Sequence, residues 1–315
     1  MKKLTAMILT LCMLLSCAVY AMAEDKTYTV GILQFVQHEA LDAATKGFRD
    51  ALTEKLGDKV TFDEKNASGE AANCAIIAND FVSGGVDLIM ANATPALQAS
   101  VSATADIPIL GTSISHYGTA LDIADWKGYT ELNVSGTSDL APLDGQAEMI
   151  QELFPDAKKV GLLFCSAEAN SAYQIGVIKE ALTALGYTCE EYAFTDSNDV
   201  ATMAQQATEC DVIYIPTDNT AAAYTETIAN VVIPAKVPVV AGEEGICRGC
   251  GVATLTISYY DLGYKTGEMA YDVLVNGADV STMEIAFAPN FTKKYNAANC
   301  AELGITVPEG YTPID

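Results

Sequence analysis

Asp87 to Gln98 reads DLIMANATPALQ, a buried strand running into a helix start. Leu88 to Met90 is a short continuous apolar run, as in a strand covered on both faces. Thr94-Pro95 then predicts an N-cap followed by proline at the first helical position. The strand thus points a helix N-terminus at whatever lies beyond it, and the unpaired N–H groups and positive dipole end there favour an anion such as a carboxylate. Asp211 to Ala221, DVIYIPTDNTA, repeats the design in the second half of the chain. Asp87 to Thr94 is seven steps and Asp211 to Asp218 is seven steps, so Thr94 and Asp218 are predicted to sit at equivalent strand tips.

Around these two stretches, strand and helix alternate with short turns, the mark of parallel sheets covered on both faces. Tyr28 to Phe35 reads as a strand. Ala40 to Leu56 reads as an amphipathic helix with Leu41, Ala44, Phe48 and Leu52 on one face, stopped by Gly57. Val60 to Phe62 (strand) and Glu70 to Val82 (helix) follow. From Val160 the order repeats, with Val160 to Phe164, Ser171 to Leu185, Thr188 to Phe194 and Val200 to Thr208. Val30 plus 130 is Val160 and Ile107 plus 130 is Val237, while Asp87 plus 124 is Asp211. The fold class expected is α/β, two doubly wound parallel-sheet lobes of like topology.

Met1 to Ala23 stands apart. Lys2 and Lys3 precede an apolar run without acidic residues, and Ala21-Met22-Ala23 offers small residues to a signal peptidase. The segment reads as an export signal cleaved after Ala23. A lipobox-like Leu14-Leu15-Ser16-Cys17 keeps a lipid anchor at Cys17 open as a second reading. Cleavage after Ala23 leaves 292 residues (315 minus 23), a length suited to two compact domains. It also takes the net charge from −24 to −26 by removing two lysines, a surface that repels nucleic acid and anionic membranes. Nine cysteines become seven. Cys247 and Cys250 form the one suggestive pair, read as a loop disulfide or two idle thiols because no thiolate-stabilising helix start follows them.

Ligands of open parallel sheets bind beyond the carboxyl ends of the strands. With two lobes facing each other, the loops Gln34 to Glu39, Ala93 to Pro95, Gly111 to Ser115, Cys165 to Ser171, Pro216 to Asn219 and Gly242 to Glu244 should line one cleft. Their residues resemble a family. Gln34-Phe35-Val36 with Leu41-Asp42, Ala93-Thr94-Pro95-Ala96, Asn133-Val134-Ser135-Gly136 with Ser138-Asp139, Pro216-Thr217-Asp218-Asn219 and Tyr259-Tyr260-Asp261-Leu262-Gly263 are similar to the ABC transporter substrate-binding proteins of the tryptophan and tyrosine transporter group. The match runs in the family's order over nearly the whole mature chain. Two departures fall at the cleft rim: Gln37-His38-Glu39 stands where the family has a Glu-His-Pro-like turn, and Ser113 to Tyr129 is a longer segment carrying His116 and Trp126.

The resemblance implies a type I periplasmic-binding-protein fold whose two lobes are joined by three crossovers. It places an N-terminal lobe at 27–135 plus 259–286 and a C-terminal lobe at 136–258 plus 287–315, with Gly136 and Gly263 beside the hinge. It also implies a small ligand, an aromatic amino acid above all, and as partners an ABC permease with its ATPase. The receptor is expected to be an exported monomer. The ligand-binding residues expected are Gln34, Phe35, Thr94, Pro95, Ser113, Asn170, Ser171, Asp218, Asn219 and Glu243. Thr94 would hold the ligand carboxylate, Asp218 or else Glu243 or Glu244 the ammonium, and Phe35 would face the side chain. Ser171 would open its helix in a capping box with Gln174. No catalytic residue, metal site or cofactor is expected, since His38 and His116 are the only histidines and no phosphate-loop or nucleophile motif is present. The alternatives left open are a receptor for a sugar, nucleoside or other small polar solute, or a small-molecule enzyme.

Overall fold

The computed structural model describes residues 26–314. The export signal and the Cys17 lipobox fall outside the described residues. The first lobe opens with β1 (Tyr28–Gln34), α1 (Glu39–Leu56), β2 (Val60–Asn66) and α2 (Ala71–Gly84), then β3 (Leu88–Asn92), α3 (Thr94–Ala103), β4 (Ile109–Ile114), a short α4 (Tyr117–Ala120) and β5 (Val134–Ser138). The second runs α5 (Leu143–Leu153), β6 (Lys159–Cys165), α6 (Ala169–Ala184), β7 (Thr188–Phe194), α7 (Val200–Ala207), β8 (Val212–Ile215), α8 (Asn219–Ala223), α9 (Thr225–Ala235), β9 (Val239–Ala241), α10 (Glu244–Cys250) and β10 (Ala253–Thr256). The chain closes with α11 (Tyr259–Asn276), β11 (Ala286–Phe287), β12 (Thr292–Tyr295), α12 (Ala297–Leu303) and β13 (Thr312–Pro313).

One sheet is ordered β11-β5-β4-β3-β1-β2 and the other β13-β12-β10-β9-β8-β6-β7. All pairings are parallel except β10 with β12. The order β2-β1-β3-β4-β5 in the first sheet reappears as β7-β6-β8-β9-β10 in the second, the duplicated α/β topology anticipated from the strings. Each sheet is buried on both faces, as the unbroken burial of β3 and β8 illustrates. The aspartates that begin the two matching stretches have matching work. Asp87 Oδ2 accepts from Thr29 N at 2.8 Å, and Asp211 Oδ2 accepts from Lys158 N and Lys159 N at 2.8 and 2.9 Å. Each pins the start of the first strand of its lobe.

The chain passes between the sheets after β5, again through α11, and a third time between β11 and β12. Helix α11 returns to the first lobe and lies against α1 at backbone contact distance. A Cβ at Gly263 would sit 1.9 Å from Ala44 O, and one at Gly47 would sit 2.1 Å from Tyr260 O. Only glycine fits at either place, so this pair sets how closely the two helices approach. At the first crossover Gly136 has φ 141°, and a Cβ there would meet Gly111 O at 2.0 Å.

Some local expectations are corrected. Helix α3 begins one residue earlier than the cap reading requires: Ala93, with φ 87°, is the N-cap and Thr94 is the first helical residue. Ser171 lies inside α6, which begins at Ala169 after Glu168, so it opens no capping box. Cys247 and Cys250 lie on α10, not in a loop, and both are free buried thiols. Burial pushes both well above the ordinary thiol value, so neither is poised as a thiolate.

Candidate functional site

The carboxyl ends of the two sheets face each other, and the lobes touch there. Ser115 Oγ lies 3.2 Å from Thr217 Oγ1, and Gln174 Nε2 donates to Ser115 Oγ at 3.1 Å. His38 Nε2 lies 3.3 Å from Asn219 Oδ1. At the rim His116 stacks on Tyr173 with centroids 4.4 Å apart and planes at 5°, and Arg248 forms a two-pronged ion pair with Glu39, both bonds 2.9 Å. These contacts describe closed lobes.

Between them lies a tight pocket of about 10 Å³, lined by residues of both lobes and of the crossovers. Asp139, just past β5, and Tyr259, at the start of α11, come from the crossovers. Asp139 is 4% exposed, and its Oδ2 accepts from Tyr259 Oη at 2.9 Å. Its Oδ1 is buried without a partner. Burial outweighs the opposing pull of the hydrogen-bonding groups around it, Tyr259 first and then Ser115, and pushes the Asp139 carboxyl up to about 6.

Two further acids line the same space. Asp218 precedes α8, with Oδ1 accepting from Ala221 N at 2.8 Å and Oδ2 from Cys165 N at 2.6 Å. Burial first, then the neighbouring Glu168, pushes its carboxyl up. Glu243 caps α10, accepting from Gly245 N and Ile246 N, and burial again raises it, to about 7. The one potentially basic side chain lining the cavity is His38, and burial lowers its pKa despite the pull of Asn219, Glu168, Asp42 and Glu39. The lining therefore offers three carboxyl groups and no side chain that is cationic near neutral pH.

Against this stand neutral polar atoms without partners. Ser113 Oγ and Asn170 Oδ1 belong to cavity-lining residues, and Thr94 Oγ1 lies at the neighbouring strand tip, all buried and unbonded. Native buried polar atoms are nearly always paired, so this concentration at one cleft is itself a feature. The backbone is strained in the same place, with Ala93 at φ 87° and Ser113 at φ 57°, as residues at ligand clamps often are. Glu168 organises the opposite wall. It is 3% exposed and accepts from Asn219 N, Asn219 Nδ2, Thr220 N, Thr220 Oγ1 and Asn170 Nδ2.

Of the residues expected from the sequence, Ser113, Asn170, Asp218, Asn219 and Glu243 line the one cavity. Thr94 is buried at the tip of β3. Gln34 spends its side chain internally, donating to Val36 O and Asp42 and accepting from Thr45 Oγ1. Phe35 packs into the core of the first lobe. Pro95 is half-buried in α3, and Ser171 is fully buried in α6. The cavity also recruits His38, Leu41, Asp139, Thr217, Ala222 and Tyr259. Most of these stand in the family-like strings, but only the fold shows that Tyr259 and Asp139, 120 positions apart, meet. Among the described residues no cluster of His, Cys, Asp and Glu suits a metal ion, and no helix is long and apolar enough to cross a membrane.

Comparison with known proteins agrees with this architecture. The chain is 36% identical over 256 residues, 79% of its length and 73% of the relative's, to a tyrosine-binding protein of Clostridioides difficile. A Streptococcus pneumonia ABC domain solved in complex with L-Trp superimposes with a TM-score of 0.87 at 32% identity, covering 92% of this chain and 100% of that one. A ligand-free, open substrate-binding protein with adhesive properties from Clostridium difficile covers 92% of this chain and 99% of its own at 34% identity, yet its TM-score is 0.70. The better fit to the complex than to the open protein, at nearly equal identity, accords with the interlobe contacts described above. The fold is that of the type I periplasmic binding proteins, as the sequence resemblance implied. Residues 29–312 match the family described as ABC transporter substrate binding protein, and the chain belongs to that family.

Proposed function

We propose that this chain is the extracytoplasmic receptor of an ABC importer and that its cleft closes on a free aromatic amino acid. The observation that carries the ligand class is the buried, unpartnered Oδ1 of Asp139 in a cleft lined by three acids and facing unpaired hydroxyls. An amino acid brings one cation and one anion, and the site divides along the same line. Asp139 Oδ1 and Asn170 Oδ1 are acceptors for the ammonium. Thr94 Oγ1, Ser113 Oγ and the first N–H groups of α3, which no side chain caps, are donors for the carboxylate. Asp218 contributes charge from nearby, its oxygens being engaged with two backbone N–H groups. A sugar would leave the buried carboxylate without a counter-charge.

The aromatic class is supported by the tyrosine named for one relative and the L-Trp bound in another, each above 30% identity. A membrane permease and its ATPase are the partners this family serves, and the receptor acts outside the cytoplasm. A thermal-shift panel of amino acids, sugars, nucleosides and oligopeptides tests the reading. Ligand at one hundred times Kd stabilises a receptor by about 2.7 kcal/mol, so tyrosine, tryptophan or phenylalanine should raise Tm and be recovered unchanged. A rise with sugars or nucleosides alone would overturn the amino-acid reading, and turnover of the stabilising compound would make the protein an enzyme.

A further inference from the structure

His38 and His116 occupy like positions, each the residue before a helix in the first lobe. They spend their rings differently. His116 Nδ1 accepts from Thr119 N at 3.1 Å and caps its own helix. His38 makes no capping bond to α1, and its Nδ1 is buried without a partner while its Nε2 reaches Asn219 Oδ1 across the cleft. Which of its nitrogens carries the proton follows from the groups beyond it. Glu168 Oε2 takes the Asn219 Nδ2 amino group at 2.6 Å, and the flipped amide would set a carbonyl oxygen against a carboxylate. Asn219 Oδ1 must therefore face His38, and it can bond only a ring N–H. His38 is thus held as the Nε2–H tautomer, which leaves Nδ1 with its lone pair.

From this relay we propose that His38 determines side-chain specificity, its Nδ1 accepting a hydrogen bond from a donor on the ligand side chain, the phenol of tyrosine or the indole N–H of tryptophan. Glu168 and Asn219 are positioning residues that fix its tautomer. A neutral imidazole presenting a lone pair repels a carboxylate, so the ligand's anionic end belongs elsewhere, and Asp139 already supplies a charged acceptor for the ammonium. The remaining donor of an aromatic amino acid is at its side-chain tip. Phenylalanine has none and would leave Nδ1 buried and unpaired. The burial that lowers the His38 pKa keeps the ring in the accepting form near neutral pH.

The inference rests on the aromatic amino-acid reading, and calorimetry with tyrosine, tryptophan and phenylalanine separates the two. If none of the three binds, the ligand class fails. If all bind, wild-type protein should favour tyrosine or tryptophan over phenylalanine by roughly tenfold or more. In His38→Leu that ratio should fall to about one, through loss of tyrosine and tryptophan affinity with phenylalanine changed by less than about threefold. A ratio unchanged in His38→Leu overturns the proposal. So does equal weakening of all three ligands, which would put His38 on the amino-acid group they share. Nitrogen-15 NMR of the wild-type imidazole gives an answer that does not depend on the variant folding. The Nδ1 resonance should be that of an unprotonated nitrogen and move on adding tyrosine but not phenylalanine. A protonated Nδ1, or the same shift with both ligands, contradicts it.

Discussion

Replacing Asp139 by asparagine should make the ligand-free protein more stable and its ligand weaker, a combination that a purely structural residue would not give. Asp139 is buried, accepts one bond from Tyr259 Oη, and has an unpaired Oδ1. Burial raises its carboxyl from 3.8 to about 6. For an acid raised in the folded state, the protonated form is the one folding favours. The penalty is absent below pH ~4, grows between pH ~4 and ~6, and is constant above, where it amounts to about 3 kcal/mol. Asparagine keeps an acceptor for Tyr259 and carries no charge, so the ligand-free variant should gain up to about 3 kcal/mol at pH 8 and almost nothing at pH 4. In the complex the sign reverses. A hydrogen bond to a charged group contributes about 1.5–3 kcal/mol, and a buried ammonium stranded without its counter-charge costs about 3–5 kcal/mol. At 1.4 kcal/mol per factor of ten, Kd should rise on the order of a hundredfold. Thermal melts at pH 4 and 8 and calorimetric titration at pH 8 read both effects. An affinity within about threefold of wild type, with the fold intact, would remove Asp139 from the ammonium site.

Thr94→Val exchanges a buried, unpartnered hydroxyl for a methyl of the same shape. The ligand-free Tm should hold or rise while affinity falls roughly tenfold, and unchanged affinity would take Thr94 off the carboxylate. Asp218→Asn should weaken binding by less than about tenfold in the same titration, because both oxygens of Asp218 are engaged by Cys165 N and Ala221 N; a hundredfold loss would return the ammonium to Asp218. Mass spectrometry of protein from its native host should find Glu24 at the mature N-terminus, whereas a diacylglyceryl-modified Cys17 would make the receptor a lipid-anchored one.

The duplicated fold could be read from Asp87 and Asp211 because both the burial of a parallel strand and the turn after it are local signals. What the aspartates do was not local. Each reaches back to the start of a strand more than fifty residues earlier. Thr94-Pro95 carries the chemistry of a helix start, but Ala93 takes the left-handed turn itself, and nothing about an alanine announces φ 87°. Ser171 and Gln174 have capping-box spacing. The loop is set instead by Glu168, whose carboxylate serves the backbone of Asn219 and Thr220 at the start of α8 rather than the backbone of its own helix. Phe35 follows the polar tip of β1 and looked free to meet a ligand, but its ring completes the core against α2 and α3. Asp139 stands in a family-like string but carries no local signal of a site, because its burial and its partner Tyr259 arrive only when the first two crossovers lie side by side.

Occupancy of this cleft by one free aromatic amino acid is tested most directly by calorimetric titration of protein that has been unfolded, dialysed and refolded to strip any carried ligand. L-Tyrosine or L-tryptophan should bind one to one with a Kd of about 1 μM or tighter, about −8 kcal/mol, and glucose and inositol should give no heat of binding. Saturable binding of a sugar, with no binding of any aromatic amino acid, would contradict the amino-acid assignment.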